Sequence, residues 1–498
     1  MSKIVKTEKI NTQVIIAGAG PTGLMLANQL ERFGIQYILI DKKPSTVPES
    51  RAMGVQARIL EFYEQLGIVD KALEQGKPDS RVEFYKGDTA LATLNFDNIN
   101  IENTKYSFIF GLEQNKNEKI LLSNLKALNS IWFDTEILKV SKNTEKPSIV
   151  VSSNNVKKFE ISGQYLVACD GSRSIVKESL GLDFVGKRYE NDFMVMDMFG
   201  EFPENIGDIT ATVKQSTLSL SFALKEKNKY RLFVSVPSKE ILEETEDKAV
   251  ELALNNFPKG LKIDRVSWFS YYQVGCKKLD NFRLGNVFFA GDSAHIHSPA
   301  GGQGMNTGIG DAVNLGWKLA YTLKGKAQTN LLNTYNEERE RFAKGLLNTT
   351  DKAFSTLVSH HWLARFTLNY VIVVVIWVVS NIRPVQRVIF RKISQVGLSY
   401  KGLSMSDGSV ASFSGGDRMP NVMTLDDEGQ EVESIQILKS TDFSGFYVGE
   451  TEPKIKYDYE INWYKIKADS ARKLNLPDKS YFIVRPDMHI SKCGLVSD

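Results

Sequence analysis

Residues 13–30 read QVIIAGAGPTGLMLANQL, and this stretch decides the fold. The apolar run over 13–17 has the density of a buried strand. Gly18, Gly20 and Gly23 then follow with GxGxxG spacing, Pro21 stands where a helix begins, and a helical pattern runs to about residue 33. Gly18 permits the tight turn, Gly20 lets the backbone approach a pyrophosphate, and Gly23 allows close packing of helix on strand, with Thr22 between them. A second strand over 37–40 delivers Asp41. This strand, turn, helix and strand make a βαβ opening, which requires a parallel sheet covered by helices. Asp41 stands at the spacing of an acid that hydrogen-bonds ribose hydroxyls. A carboxylate there repels a 2′-phosphate, so the expected dinucleotide is FAD or NAD rather than NADP. The motif alone does not separate the two.

The same grammar returns far downstream. Residues 286–292, NVFFAGD, read as a strand that carries Asp292 to its C-terminal end, where ligands bind in α/β sheets. SAHIHSPAGGQGMNTG follows, and its turn over 299–306 opens a helix expected to reach about residue 323. Backbone N–H groups at such a helix start stabilise an anion, here the charge a reduced flavin develops at N1 and O2. Two glycine-rich strand-to-helix turns in one chain favour one long ligand. Between them, residues 188–275 alternate short apolar segments with turns, the texture of an antiparallel sheet inserted as a separate lobe. Phe222, Phe233, Trp268 and Tyr272 are its aromatic candidates for a pocket, although at strand spacing they fit a core equally well.

Composition narrows the class. A chain of 498 residues is too long for one core, so two to four domains are expected. A net charge of +3 gives no support for nucleic-acid binding. Three widely spaced cysteines argue against a disulfide framework and for a reducing, cytoplasmic setting. The histidines form no cluster with metal-ligand spacing, so no metal is expected. The basic N-terminus before 14–17 resembles a signal peptide only superficially, because glycines and Pro21 break its apolar core. Residues 366–382, FTLNYVIVVVIWVVSNI, are uncharged and sit at the lower edge of membrane-span length. Burial between domains or subunits is the favoured reading, which leaves room for a homodimer; peripheral membrane contact comes second and a true span third.

The GxGxxG at Gly18, the segment LVACDGSRS at 166–174 and the Gly291-Asp292 segment together resemble the three signatures of the group A flavoprotein hydroxylases, relatives of para-hydroxybenzoate hydroxylase. The likeness covers about residues 12–345. The tail, with GGDRMP and YFIVRPD, is similar to the thioredoxin-like extension of the polyketide, phenol and rifampicin hydroxylases, but has no Cys-x-x-Cys and so no disulfide chemistry. The resemblance implies an α/β fold: a Rossmann-like FAD-binding domain (1–187 and 276–355), the inserted antiparallel-sheet substrate domain (188–275), a helical connector (356–400) and a thioredoxin-like domain (401–498). It further implies FAD as cofactor, NAD(P)H as reductant reaching the flavin by an open surface route, and O2 activated as a flavin C4a-hydroperoxide that hydroxylates an aromatic, phenolic or polyketide-like molecule.

Residue by residue, the resemblance gives Asp41 the adenosine ribose, with Lys42 beside it, and Gly20 the pyrophosphate. Arg51 would contact the FAD phosphates or ribityl side, and Gln114, supported by Glu118, the flavin chain. Asp292 would hold the ribityl side, and Pro299, Gly302, Gly304, Met305 and Asn306 would line the isoalloxazine. Asp170 and Arg173 resemble a motif serving both FAD and the nicotinamide cofactor. No catalytic base is identified; His295 and His297 are weak candidates, each more often structural. The chain departs from the family after Tyr335-Asn-Glu-Glu338-Arg339, where Arg-Pro is usual, and at Ile490-Ser-Lys-Cys493, where Trp-Arg is usual. Both departures concern packing of the tail. Competing readings are the same flavin chemistry ending in epoxidation, Baeyer–Villiger insertion or antibiotic inactivation, a membrane-associated quinone-precursor hydroxylase, and a flavoprotein without catalysis. A halogenase is disfavoured by the lack of Trp-x-Trp-x-Ile-Pro.

Overall fold

The computed structural model describes residues 7–46, 52–96, 104–154, 157–203, 206–214, 217–238, 244–297, 302–358 and 378–496. Its first sheet is built on the parallel neighbours Val287–Phe289, Lys157–Ala168, Glu8–Ala17, Tyr37–Ile40 and Ile131–Trp132, in that spatial order. Val14, Ile15, Ile16 and Ala17 are fully buried, as a strand covered on both faces requires. The helices Pro21–Arg32 and Gly304–Leu323 pack on this sheet. The strand over 37–40 and the helix ends near 33 and 323 fall where the sequence puts them, within a residue.

The second sheet runs His295–Ile296, Lys262–Lys278, Val185–Glu201, Lys229–Pro237, Thr217–Ala223, Ile209–Lys214, Arg81–Lys86 and Thr89–Asn95. It is antiparallel throughout except where Ile209–Lys214 meets Arg81–Lys86. The lobe is therefore wider than residues 188–275. The hairpin over 81–95 joins it from within the stretch assigned to the FAD-binding domain, because its pairing partner is set by tertiary contact rather than by chain position. The lobe also includes a helix, Glu246–Asn256, which the strand-like alternation did not reveal. Residues alternate faces here. Met194, Met196 and Met198 pack with Leu232 and Val234 against Ala249, Leu252 and Ala253 of that helix.

The C-terminal sheet orders as Glu431–Glu433, Met423–Leu425, Ile461–Ile466, Phe443–Tyr447, Ser480–Val484 and Ile490–Leu495. It docks on the domain of the first sheet through buried charge. Arg58 Nη1 and Arg418 Nη1 donate to opposite oxygens of Glu61 at 2.8 and 2.9 Å. Arg485 Nη1 donates to Glu338 Oε1 at 2.5 Å, and Lys318 Nζ to Glu338 Oε2 at 2.7 Å. Arg485 also pairs with Asp487, whose carboxylate accepts from Trp317 Nε1 at 3.1 Å. These groups are nearly or fully buried, so each charge must have its partner. Arg418 comes from GGDRMP, and Arg485 and Asp487 from YFIVRPD. The two tail motifs are thus the docking residues, and the departures beside them leave the docking intact.

Among the described residues no helix is long and apolar enough to cross a membrane. Residues 366–377 of the apolar run lie outside the described residues; Val379, near its end, packs against the core. The three cysteines are free.

Candidate functional site

Four parallel strands end in register. Ala17 is paired with both Ala168 and Ile40, and Ala168 with Phe289. The loops that follow therefore leave one edge of the sheet together: 18–23, Asp41, 169–174 and 290–293. Gly18 has φ +101°, and a Cβ there would collide with the carbonyl oxygen of Cys169, so the first loop leans directly on the third. Gly20 is the opposite case. A Cβ there meets nothing within 4 Å, and the helix that Pro21 opens presents its unpaired N–H groups to that space. That open cradle fits a pyrophosphate.

Around it stand the carboxylates. Asp41 Oδ2 accepts from Ala19 N at 2.7 Å and Oδ1 from Lys43 N at 2.9 Å. Two backbone donors fix this carboxylate and leave lone pairs for ribose hydroxyls. Lys42 is exposed; its neighbour Lys43 brings its ammonium to 3.7 Å from Asp41. Asp170 Oδ2 accepts from Val176 N at 3.4 Å, while Arg173 points to the surface. Asp292 is open to solvent, yet so much protein surrounds it that its carboxyl is raised above the usual range, with His295 opposing the rise and Asp311 adding to it. A carboxylate that is accessible yet poorly hydrated lies in a cleft rather than on an outer surface.

The facing wall is the loop over 52–56 with the start of the helix Gly304–Leu323. Asn306 is fully buried and tied to this loop: its Oδ1 accepts from Gln56 N at 2.8 Å and its Nδ2 donates to Gly54 O at 2.9 Å. Gln114 N donates to Ala52 O at 3.2 Å, and Gln114 Nε2 to Glu118 Oε1 at 2.9 Å. Met305 lies against Asn117, Gly302 has φ +60°, and Gly304 faces His297. Arg51 and Pro299 lie outside the described residues.

His295 is 1% exposed, and its Nε2 lies 2.8 Å from Asp311 Oδ2. This arrangement supports a holding role rather than proton exchange with a substrate. Asp311 also accepts from Gly291 N at 2.9 Å and from Arg339 Nε at 2.6 Å, and so anchors the turn that carries Asp292. Burial alone would raise the Asp311 carboxyl; Arg339 and His295 outweigh it and hold it below the ordinary range. Sequence reasoning passed over Asp311. No local signal marked it, because the same helix also carries Asn306, Asn314 and Lys318, and their burial is decided only by packing.

The four aromatic candidates share one face of the second sheet. Phe222, Phe233, Trp268 and Tyr272 join Phe193, Val195, Leu220, Tyr189 and Met53 in one cluster. Tyr272 stacks on Phe193 at 6.0 Å, and Phe222 meets Phe233 edge-on at 5.9 Å. On the same face Arg231 grips Asp197 with two bonds of 2.6 and 2.7 Å, and its Nη1 donates to Ala52 O at 3.1 Å. The loop over 52–56 therefore joins the aromatic face to the helix start at Gly304.

A family model described as FAD binding domain matches residues 11–350. Pentachlorophenol 4-monooxygenase of Sphingobium chlorophenolicum is 33% identical over 71% of this chain and 66% of that enzyme. Rifampicin monooxygenase of Rhodococcus hoagii is 30% identical over 70% of this chain and 72% of that protein. Among solved structures, the anhydrotetracycline hydroxylase OxyS of Streptomyces rimosus covers 98% of this chain and 96% of its own, with a TM-score of 0.78 at 24% identity, a likeness of fold.

Proposed function

The chain belongs to the FAD binding domain family of flavin-dependent aromatic and phenolic monooxygenases, and from that premise we propose that it uses NAD(P)H and O2 to hydroxylate a phenolic or polyketide-like aromatic compound. Bound FAD supplies the redox chemistry, passing electrons from the nicotinamide to oxygen. The chain's own task is to bind, orient and exclude water.

In this reading the N–H groups opened by Pro21 take the pyrophosphate beside Gly20, and Asp41 takes the adenosine ribose. Asp292, braced by Asp311 through the Gly291 backbone, takes the ribityl side. The start of the helix Gly304–Leu323, tied down by Asn306, favours negative charge on the flavin ring. The aromatic face around Phe193, Phe233 and Tyr272 stacks the substrate, and Arg231, neutralised by Asp197, holds the loop over 52–56 between the two. The three cysteines, all free, suit work in the reducing cytoplasm.

The observation that carries this reading is the common edge from which Gly20, Asp41 and Asp292 emerge, joined through the loop over 52–56 to an aromatic sheet face. The test is oxidation of NADH and NADPH by the yellow purified protein, with and without a panel of phenols and polycyclic aromatics. The expected result is stimulation by a compound whose product has gained one oxygen. Tightly held FAD that neither nicotinamide reduces would overturn the proposal.

A further inference from the structure

The low net charge hides a local asymmetry. Residues 352–406 contain seven Lys and Arg and no Asp or Glu, whereas the remaining 55 cations of the chain are outnumbered by 59 acids. Within this stretch the helix Arg383–Ile393 holds Arg383, Arg387, Arg391 and Lys392. Its inward side is narrow. Gln386 and Phe390 are buried, Phe390 with its ring 5.3 Å from Phe96, and Val385, Ile389 and Ile393 are half-buried. The rest of the helix faces out. Spacing of four residues aligns Arg383, Arg387 and Arg391 on one flank. Val388, 52% exposed, lies beside them with Lys392 beyond, and Ile382, 41% exposed, directly precedes the helix. Arg383, Arg387 and Lys392 make no ion pair among the described residues.

Exposed apolar side chains set among exposed cations are the pattern of a helix that lies in a membrane interface. We infer that the outward face of the helix Arg383–Ile393 docks on an anionic lipid surface, with Val388 and Ile382 entering the headgroup boundary and the arginine flank meeting lipid phosphates. Two other occupants fit less well. A second copy of the same face would set four cations against four, and a nucleic-acid backbone gains nothing from Val388 and Ile382. The helix is also fastened to the candidate site. Gln303 Nε2 donates to Ile393 O at 2.8 Å, Gln395 Nε2 to Gln303 Oε1 at 2.6 Å, and Arg58 N to Ser394 O at 3.1 Å. A docked helix thus holds the lipid surface near the start of the helix Gly304–Leu323, a short path for an apolar compound dissolved in the bilayer. The contact is peripheral and does not depend on the proposed reaction.

The test uses the full-length, FAD-loaded protein in sedimentation with vesicles of phosphatidylcholine alone or of phosphatidylcholine with phosphatidylglycerol. Binding is expected to the mixed vesicles only, and to fall steeply with added salt. The triple variant Arg383→Gln, Arg387→Gln, Lys392→Gln should weaken it about a hundredfold, at roughly fivefold per charge. Val388→Asp should weaken it separately while thermal stability and NAD(P)H oxidation stay unchanged, because the position is exposed. Equal binding to neutral vesicles, or undiminished binding by the triple variant, overturns the inference. So does tighter binding to duplex DNA than to the mixed vesicles, or a dimer that the triple variant dissociates.

Discussion

The side chain of Thr22, from the first glycine turn, fills the space beside Gly308, from the second: a Cβ on Gly308 would collide with Thr22 Oγ1. A Cβ on Gly291 would lie 2.5 Å from the same oxygen. One hydroxyl thus sets the distance between the two turns that frame the proposed FAD cleft. Gly308→Ala should push them apart, costing about 1–3 kcal/mol of stability and loosening FAD. Adding Thr22→Ala should restore much of both. Flavin retained after gel filtration and the thermal midpoint measure it; a double variant no better than Gly308→Ala alone would refute the spacing role.

Asp292→Asn keeps the shape of the turn that Asp311 braces but removes the charge. Loss of a charge-assisted hydrogen bond should weaken FAD binding about ten- to hundredfold, with the thermal midpoint of the flavin-free protein unchanged. Titration of that protein with FAD reads the effect. Unaltered affinity would remove Asp292 from the proposed site.

Much of this site was legible because it is made by short-range pattern. The run over 13–30 specifies strand, turn and helix within one stretch, and so does 286–306. What stayed hidden depends on contacts between distant residues. The hairpin over 81–95 alternates like any other pair of strands, and nothing local assigns it to the second sheet. Arg418 and Arg485 could be recognised as parts of motifs, but their role depends on Glu61 and Glu338, 357 and 147 positions away. Asp311 and Glu338 look like surface charges until the helices that carry them are packed.

Glu61 tests the docking directly. Glu61→Gln would leave Arg58 and Arg418 as two buried guanidiniums with no carboxylate between them. A cost of about 3–5 kcal/mol is expected, since removing one partner strands the others. Scanning calorimetry should show the C-terminal domain melting separately or at lower temperature. An unchanged single transition would mean that the pair does not hold the domains together.

Acid should weaken the same interface in two stages. Burial lowers His489 from 6.5 to about 4, against the pull of Asp487. Between those values the unfolded chain takes up a proton that the folded one refuses, so stability falls as pH drops from 6.5 to 4, by about 3 kcal/mol in all. Burial would raise Glu338, but Arg485 and Lys318 hold it down to about 2 from 4.5, so its contribution is present above pH 4.5 and lost below it. Denaturant midpoints measured from pH 7 to 4 should fall for the natural protein and fall less for His489→Gln. Parallel curves for the two would exclude His489 as the source of the first stage.

Tyr271 and Tyr272 are adjacent on one strand and face opposite ways, which makes them a matched pair for the substrate proposal. Tyr272 pairs across the strands with Phe193 on the aromatic face, whereas Tyr271 pairs with Met194 and packs toward the helix Glu246–Asn256. Tyr272→Ala removes a stacking surface in the proposed pocket, so KM for the stimulating aromatic compound should rise about tenfold with smaller change in stability. Tyr271→Ala opens a cavity behind the sheet and should cost stability, about 3 kcal/mol or more, while KM stays near its natural value. Steady-state NAD(P)H oxidation against substrate concentration, paired with thermal denaturation, separates the two outcomes. If KM rises in Tyr271→Ala and not in Tyr272→Ala, the substrate does not sit on the aromatic face, and the pocket must be sought elsewhere along the cleft.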